Sequence, residues 1–193
     1  MNVPNALTLL RVLFAVAVFF CIAVYRFDFA LVFFVLASLT DFLDGWWARK
    51  FKQITVFGRI MDPFADKFLI CGTFICLVPI PELMRIDDSI LPAWTSLQPW
   101  MVIVIVGREL LITSLRAVVE SSGGDFSAKW IGKWKMGLQC AAVIFCFLYL
   151  SGKTGVFYWM ITSLWATVII TIYSGVSYCV NAVRMMRGNR STG

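Results

Sequence analysis

Long apolar runs separated by short polar stretches make up most of this chain. Six of the runs approach the length of about 20 residues that a helix needs to cross a bilayer. They cover Leu7–Tyr25, Phe29–Trp47, Ile60–Ile80, Leu97–Val119, Lys135–Leu150 and Val156–Val180. The pattern predicts an all-α integral membrane protein, a bundle of six transmembrane helices that forms a single domain over residues 1–193.

Composition agrees with a membrane protein. Hydrophobic residues make up 60% of the chain, charged residues only 15%, and the mean hydropathy is +0.83. A soluble domain carries about 25% charged residues.

The distribution of Lys and Arg predicts the orientation. These residues concentrate at 49–59, 129–135 and 184–190, whereas the opposite ends of the spans hold only Arg26, Arg85 and Lys153. The positive-inside rule places the first set, and both termini, in the cytoplasm. The net charge of +6 then faces anionic lipid headgroups. Nucleic acid is not an expected partner, because the charges lie in short loops.

Cysteine and histidine usage argues against a zinc site and against acid–base catalysis by histidine. The six cysteines all fall in apolar runs without a C-x-x-C pair, and the chain has no histidine. We therefore expect no zinc site, and the cysteines are interpreted as small buried hydrophobes. Any proton transfer must use a carboxylate, Lys, Tyr or water.

Four aspartates stand in a hydrophobic context at helical spacings of three and four. They occur in the segment Asp41-x2-Asp44-Gly45-x2-Ala48-Arg49-x8-Gly58-x3-Asp62-x3-Asp66. Carboxylates within membrane helices cost roughly 2.5–3.5 kcal/mol each and are usually functional. Two facing pairs of carboxylates would make an all-oxygen cage for Mg²⁺ or Mn²⁺, and two ions would suit a phosphoryl-type displacement. The alternative is a structural ion-pair network with Arg11, Arg49 and Lys67.

The same segment resembles, without a gap or substitution, the signature of the CDP-alcohol phosphotransferase family. The resemblance implies a six-helix membrane bundle, often dimeric, in the cytoplasmic membrane of a bacterium, with its site open to the cytoplasm. It implies a reaction in which an alcohol displaces CMP from a CDP-linked lipid such as CDP-diacylglycerol. Asp41, Asp44 and Asp62 would be the principal metal ligands. Asp66 would complete the site and act as general base.

The resemblance also assigns the CDP-lipid pocket. It implies that Gly45, Ala48 and Gly58 form the cytidine pocket, with Arg49 nearby. Small residues at these positions could equally serve helix packing. The N-terminal pattern Pro4-Asn5-x2-Thr8-x2-Arg11 is similar to the start of bacterial members, where it lies beside the nucleotide. Asn5 and Thr8 could instead cap the first helix, whereas Arg11 lies deeper and requires an anion.

Basic residues in the second half predict an acceptor that carries a phosphate. Arg108 and Arg116 are two helical turns apart, and Lys133 and Lys135 begin the fifth span. Together they could form an anion pocket beside the metals. The lysines could instead be positive-inside anchors, and Arg108 could pair internally with Glu109, whose role the sequence leaves open.

Both basic segments resemble those of phosphatidylglycerophosphate synthases, the family branch that uses sn-glycerol 3-phosphate. Met136 departs from the threonine usual in that branch.

Other functions remain open. Within the family, these are phosphatidylinositol-phosphate, phosphatidylserine and cardiolipin synthases. Outside it, a polyprenyl-transferring enzyme also uses aspartate pairs with Mg²⁺, and a cation transporter could use the aspartates as its ion path. Transporters place such sites near the bilayer midplane on broken helices, often in repeated halves. In this sequence the aspartates lie near the cytoplasmic ends of their spans, and the two halves of the chain are not similar.

Overall fold

Six long helices form the structure, a computed structural model that describes residues 3–51, 56–80, 83, 85–86, 89–90, 95–121 and 131–189. Side chains are described for residues 5–41, 61–80, 83, 95–116 and 135–180. The helices are α1 Val3–Ala23, α2 Phe27–Phe51, α3 Val56–Leu77, α4 Pro99–Ser121, α5 Ile131–Leu150 and α6 Phe157–Asn189. A 3-10 turn, Thr154–Val156, precedes α6.

Each helix coincides with one predicted apolar run to within a few residues, except that α6 continues to Asn189. The α-helical prediction is therefore confirmed. Among the described residues, two helical stretches are long and apolar enough by themselves to cross a membrane, Asn5–Ala23 and Thr154–Val180. Lys135–Leu150 is a shorter apolar helix. By contrast, α4 carries Arg108, Glu109 and Arg116 within its length.

Two short antiparallel strands are the only strands within the described residues. Strands β1 (Arg85–Ile86) and β2 (Ser89–Ile90) pair with Arg85 opposite Ile90. They lie between α3 and α4 in the chain.

The first three helices pack together, with α1 against both α2 and α3. On the other side, α6 packs against α5 and α4, and α2 against α5 joins the two groups. The ring of Phe34 meets that of Phe147 edge-on across the α2–α5 contact, with centroids 6.0 Å apart. This contact lies within one buried apolar core that extends through the bundle.

The buried face of α1 changes character along its length. Ala15, Val18 and Ile22 are buried at helical spacing, and Thr8 and Arg11 continue the same face with no exposure. An apolar stripe thus becomes polar towards the start of the helix. The fold therefore brings polar side chains of α1 against the neighbouring helices at one end of the bundle.

We predict that Gly72 is required for close packing of α1 against α3. A Cβ at Gly72 would overlap the ring of Phe19, which is itself held edge-on against Phe68 at 5.2 Å. Gly72→Ala should therefore lower the free energy of unfolding by about 1–3 kcal/mol, the usual cost of overpacking. The measurement is the thermal unfolding midpoint in detergent.

The matched control is Gly137→Ala in α5, where a Cβ meets no described atom within 4 Å. This substitution should be neutral or slightly stabilising, because alanine favours a helix over glycine. Equal midpoints for the two variants would contradict the prediction.

Candidate functional site

Arg11 is the centre of a cluster of charges from three helices. Its guanidinium is fully buried, and Nη1 lies 2.8 Å from Oδ1 of Asp41 in α2 and 3.5 Å from Oδ1 of Asp66 in α3. The two carboxylates keep about a third of their side-chain surface exposed, 30% and 33%. The expectation that Arg11 meets an anion is confirmed, and part of the alternative ion-pair network is present as well.

Thr8 joins the third predicted aspartate to this cluster. Its hydroxyl donates a 2.6 Å hydrogen bond to Oδ1 of Asp62. Because Thr8 precedes Arg11 by three residues, both side chains leave the same face of α1. Asn5, one turn before Thr8, is half-buried. The N-terminal pattern therefore contacts the aspartates directly, which a helix-capping role alone does not explain.

The side chains of several predicted site residues lie outside the described part of the structure. The backbones of Asp44, Gly45, Ala48 and Arg49 belong to α2, that of Gly58 to α3 and that of Lys133 to α5.

The donor atoms of the aspartates fit a hard divalent ion. Asp41 and Asp66 approach one cationic nitrogen, so their carboxylates are close enough to require positive charge between them. They offer oxygen only, the ligand that Mg²⁺ and Mn²⁺ prefer. Among the described side chains, no group of three or more His, Cys, Asp or Glu is assembled for a metal. The structure therefore brings together two of the four predicted ligands, with Asp62 held nearby on Thr8.

A second cluster joins α4 to α5. Oε1 of Glu109 accepts from Nη1 of Arg108 at 3.3 Å and forms an ion pair with Nζ of Lys135. The Arg108 guanidinium also lies over the ring of Tyr178 in α6, 5.6 Å from its centroid. The internal pairing of Arg108 with Glu109 is thus present, and it includes one of the predicted pocket lysines.

Two arginines of α4 retain donors for an anion. The Nε atoms of Arg108 and Arg116 are buried without a hydrogen-bond partner among the described residues. A buried cationic N–H without an acceptor is costly, and a phosphate oxygen would satisfy it.

Lys67 is within electrostatic range of both the acidic and the basic cluster, and the sequence interpretation did not place it in the pocket. The Asp66 carboxylate attracts its ammonium, whereas the guanidinium groups of Arg116 and Arg108 repel it. Lys135 in turn interacts with Arg108, Lys67 and Asp66. The position of Lys67 directly after Asp66 in the motif was the signal that could have placed it in the pocket. The two clusters are therefore neighbours within one polar region.

These helices and this polar region are those of a membrane phosphotransferase family. The model of the CDP-alcohol phosphatidyltransferase family matches residues 1–173, and the chain belongs to this family. Divalent-metal dependence is general among its members. Together with the apolar helices, the family makes the chain a membrane protein.

Individual relatives match most of the chain. One is the CDP-diacylglycerol–glycerol-3-phosphate 3-phosphatidyltransferase of Bacillus subtilis, 33% identical, with 92% of this chain and 93% of the relative covered. Another is a probable phosphatidylglycerophosphate synthase of Mycobacterium tuberculosis, 34% identical, covering 99% and 86%. A Haemophilus influenzae protein with the same name as the Bacillus one is 34% identical, covering 74% and 73%.

We predict that Thr8→Val weakens divalent-ion binding. The variant keeps the shape of the side chain but removes the hydrogen bond that orients Asp62. We expect the Mg²⁺ or Mn²⁺ concentration for half-maximal thermal stabilisation in detergent to rise about fivefold, or about 1 kcal/mol. Thr8→Ser, which keeps the hydroxyl, is the control. A Thr8→Val protein with wild-type ion dependence would show that the bond does not organise the site.

Proposed function

We propose that this protein transfers the phosphatidyl group of CDP-diacylglycerol to sn-glycerol 3-phosphate, giving phosphatidylglycerophosphate and CMP. The observation that carries the proposal is the adjacency of the two clusters. Asp66 of the acidic cluster interacts electrostatically with Lys67 on α3 and Lys135 on α5, and both of these cations are within electrostatic range of Arg108 on α4. The names of the relatives support the same acceptor.

Two divalent ions, Mg²⁺ or Mn²⁺, complete the acidic cluster in this proposal, with Asp41, Asp44, Asp62 and Asp66 as ligands. When bound, they supply positive charge for the pyrophosphate and for the attacking and leaving oxygens. Thr8 and Arg11 hold the carboxylates of Asp41, Asp62 and Asp66 from α1. Gly45, Ala48, Arg49 and Gly58, with Asn5, form the cytidine side of the pocket.

Asp66 acts as the general base. It accepts the proton of the 1-hydroxyl of glycerol 3-phosphate, and that oxygen forms a bond to the β-phosphorus. The bond between this phosphorus and the bridging oxygen breaks, and CMP leaves with the electron pair. Arg108, Arg116, Lys133 and Lys135 hold the acceptor phosphate. The ionic environment of Asp66, between Arg11 and Lys67, supports a role at the boundary between the two substrates.

The membrane arrangement belongs to the same proposal. The chain forms one domain whose six helices cross the cytoplasmic membrane of a bacterium, with both termini in the cytoplasm and with a second copy in a homodimer. Six helices of 20 residues or more support the crossing of the membrane, and the concentration of Lys and Arg at one set of helix ends supports the orientation.

Acceptor identity is tested by incubating the purified protein with labelled CDP-diacylglycerol and separate acceptors. We expect CMP release and lipid product with sn-glycerol 3-phosphate. Inositol 1-phosphate, serine and phosphatidylglycerol test the alternatives within the family. Preferential transfer to one of these would replace the proposed acceptor. Ion flux in liposomes without CMP release would instead support a transporter.

Asp66→Asn should abolish turnover while largely sparing binding of CDP-diacylglycerol. The amide keeps the size of the side chain but cannot accept the proton. The assay compares the rate of CMP release with binding of the labelled lipid nucleotide. Full activity in this variant would exclude Asp66 as the base.

Arg116→Ala should raise the KM for sn-glycerol 3-phosphate about tenfold, because one charge-assisted contact to the phosphate is lost. The KM for CDP-diacylglycerol should not change, and this serves as the internal control. An unaltered KM for glycerol 3-phosphate would remove Arg116 from the acceptor pocket.

A further inference from the structure

Glu109 is an acid in the middle of a pocket assigned to an anion. Its side chain is only 12% exposed, and those of its partners Arg108 and Lys135 are 9% and 8% exposed. A carboxylate in this place repels a phosphate, so by itself it weakens binding of the acceptor. The presence of Glu109 in this pocket therefore requires an explanation other than attraction to the substrate.

The geometry supplies such a reason, because one oxygen of Glu109 contacts both cations. Nη1 of Arg108 and Nζ of Lys135 approach the same Oε1, although they come from different helices. Without an anion between them, two buried cations at this separation repel each other. The carboxylate offsets that repulsion and holds the two groups side by side.

Arg108 is restrained on other sides as well, whereas Lys135 is a long flexible side chain. The Arg108 guanidinium lies over Tyr178, and its Cγ faces the Cα side of Gly175, where an added Cβ would approach it to 3.4 Å. A lysine ammonium on a four-carbon stem loses considerable rotamer freedom when it is fixed. Glu109 fixes the Lys135 ammonium before the ligand arrives, which lowers the entropic cost of binding.

We propose that Glu109 is a positioning residue of the acceptor pocket. It fixes the Arg108 guanidinium and the Lys135 ammonium next to each other, so that their remaining N–H donors bind one phosphate group. The buried Nε of Arg108, which has no partner among the described residues, is one of these donors. This inference rests on the proposed function, in which that phosphate belongs to sn-glycerol 3-phosphate.

The first test separates positioning from a purely structural role. Glu109→Gln removes the charge at nearly constant size and should raise the KM for sn-glycerol 3-phosphate about tenfold, the size of one lost charge-assisted contact. The kcat and the KM for CDP-diacylglycerol should stay within about threefold of wild type. Glu109→Asp, which restores the charge, should recover part of the loss.

Ser114→Ala is the matched control on the same helix. Its hydroxyl is exposed and bonds only the carbonyl of Leu110 among the described residues. It should leave all kinetic constants unchanged. A Glu109→Gln variant that lowers the ligand-free thermal midpoint but leaves the KM for glycerol 3-phosphate unchanged would overturn the proposal, since Glu109 would then only join α4 to α5.

A double-mutant cycle tests whether Glu109 acts through Lys135. If it does, Glu109→Gln should change the KM by no more than about twofold in a Lys135→Met background, because the ammonium that it holds beside Arg108 is gone and Arg108 is restrained by other contacts. Independent, multiplying effects of the two substitutions on the KM would contradict the proposal.

Binding of inorganic phosphate keeps this inference separate from the proposed function. Phosphate should raise the thermal midpoint of the wild-type protein in detergent, and Glu109→Gln should need about tenfold more phosphate for the same increase. If the wild type shows this response but transfers no lipid to glycerol 3-phosphate, the proposed function fails and the role of Glu109 stands. Equal phosphate responses in the two proteins would overturn that role.

Discussion

The ion pairs of Arg11 are the constraint on which the arrangement of the first three helices depends. A fully buried guanidinium on α1 is tolerable only beside anions, and it finds them on α2 and α3, at Asp41 and Asp66. The reverse also holds, since carboxylates in these helices need a cation. Docking of the three helices is therefore coupled to charge neutralisation, and the hydrogen bond from Thr8 to Asp62 fixes the same register. The carboxylates are brought together by the packing that buries them.

In the basic cluster, too, buried charges of opposite sign lie together. Cations from α4 and α5 meet around one internal acid, Glu109, and an aromatic ring from α6 covers Arg108. Helix α3 belongs to both clusters, because Asp66 and Lys67 are consecutive residues. A reaction that transfers a phosphorus group to a phosphorylated alcohol needs a metal-binding region and an anion pocket side by side. In the proposed function, the acidic cluster is the metal-binding region and the basic cluster is the acceptor pocket, with Asp66 and Lys67 at the boundary between them.

The helices and the acidic cluster were predictable because their signals are local. An apolar run of about 20 residues has few alternatives to a helix, and carboxylates at spacings of three and four share a helix face whatever the partner is. The roles of Glu109 and Lys67 were not predictable in this way. Each stands next to a residue of opposite charge in the chain, and that neighbour does not indicate which groups on other helices the side chain meets. Whether Glu109 meets Lys135, and whether Lys67 lies near the arginines of α4, depends on how the helices cross.

By itself, the sequence determined the number and position of the helices, the acidic motif and the basic segments, since periodicity and the cost of charge in an apolar context act within one helix. Only the tertiary structure decided that Arg11 joins Asp41 to Asp66 and that Glu109 holds Lys135 beside Arg108. The physical reason is that an ion pair between helices depends on their relative rotation and depth. Those are set by packing over the whole bundle, and a single close contact, such as Gly72 against Phe19, contributes to them.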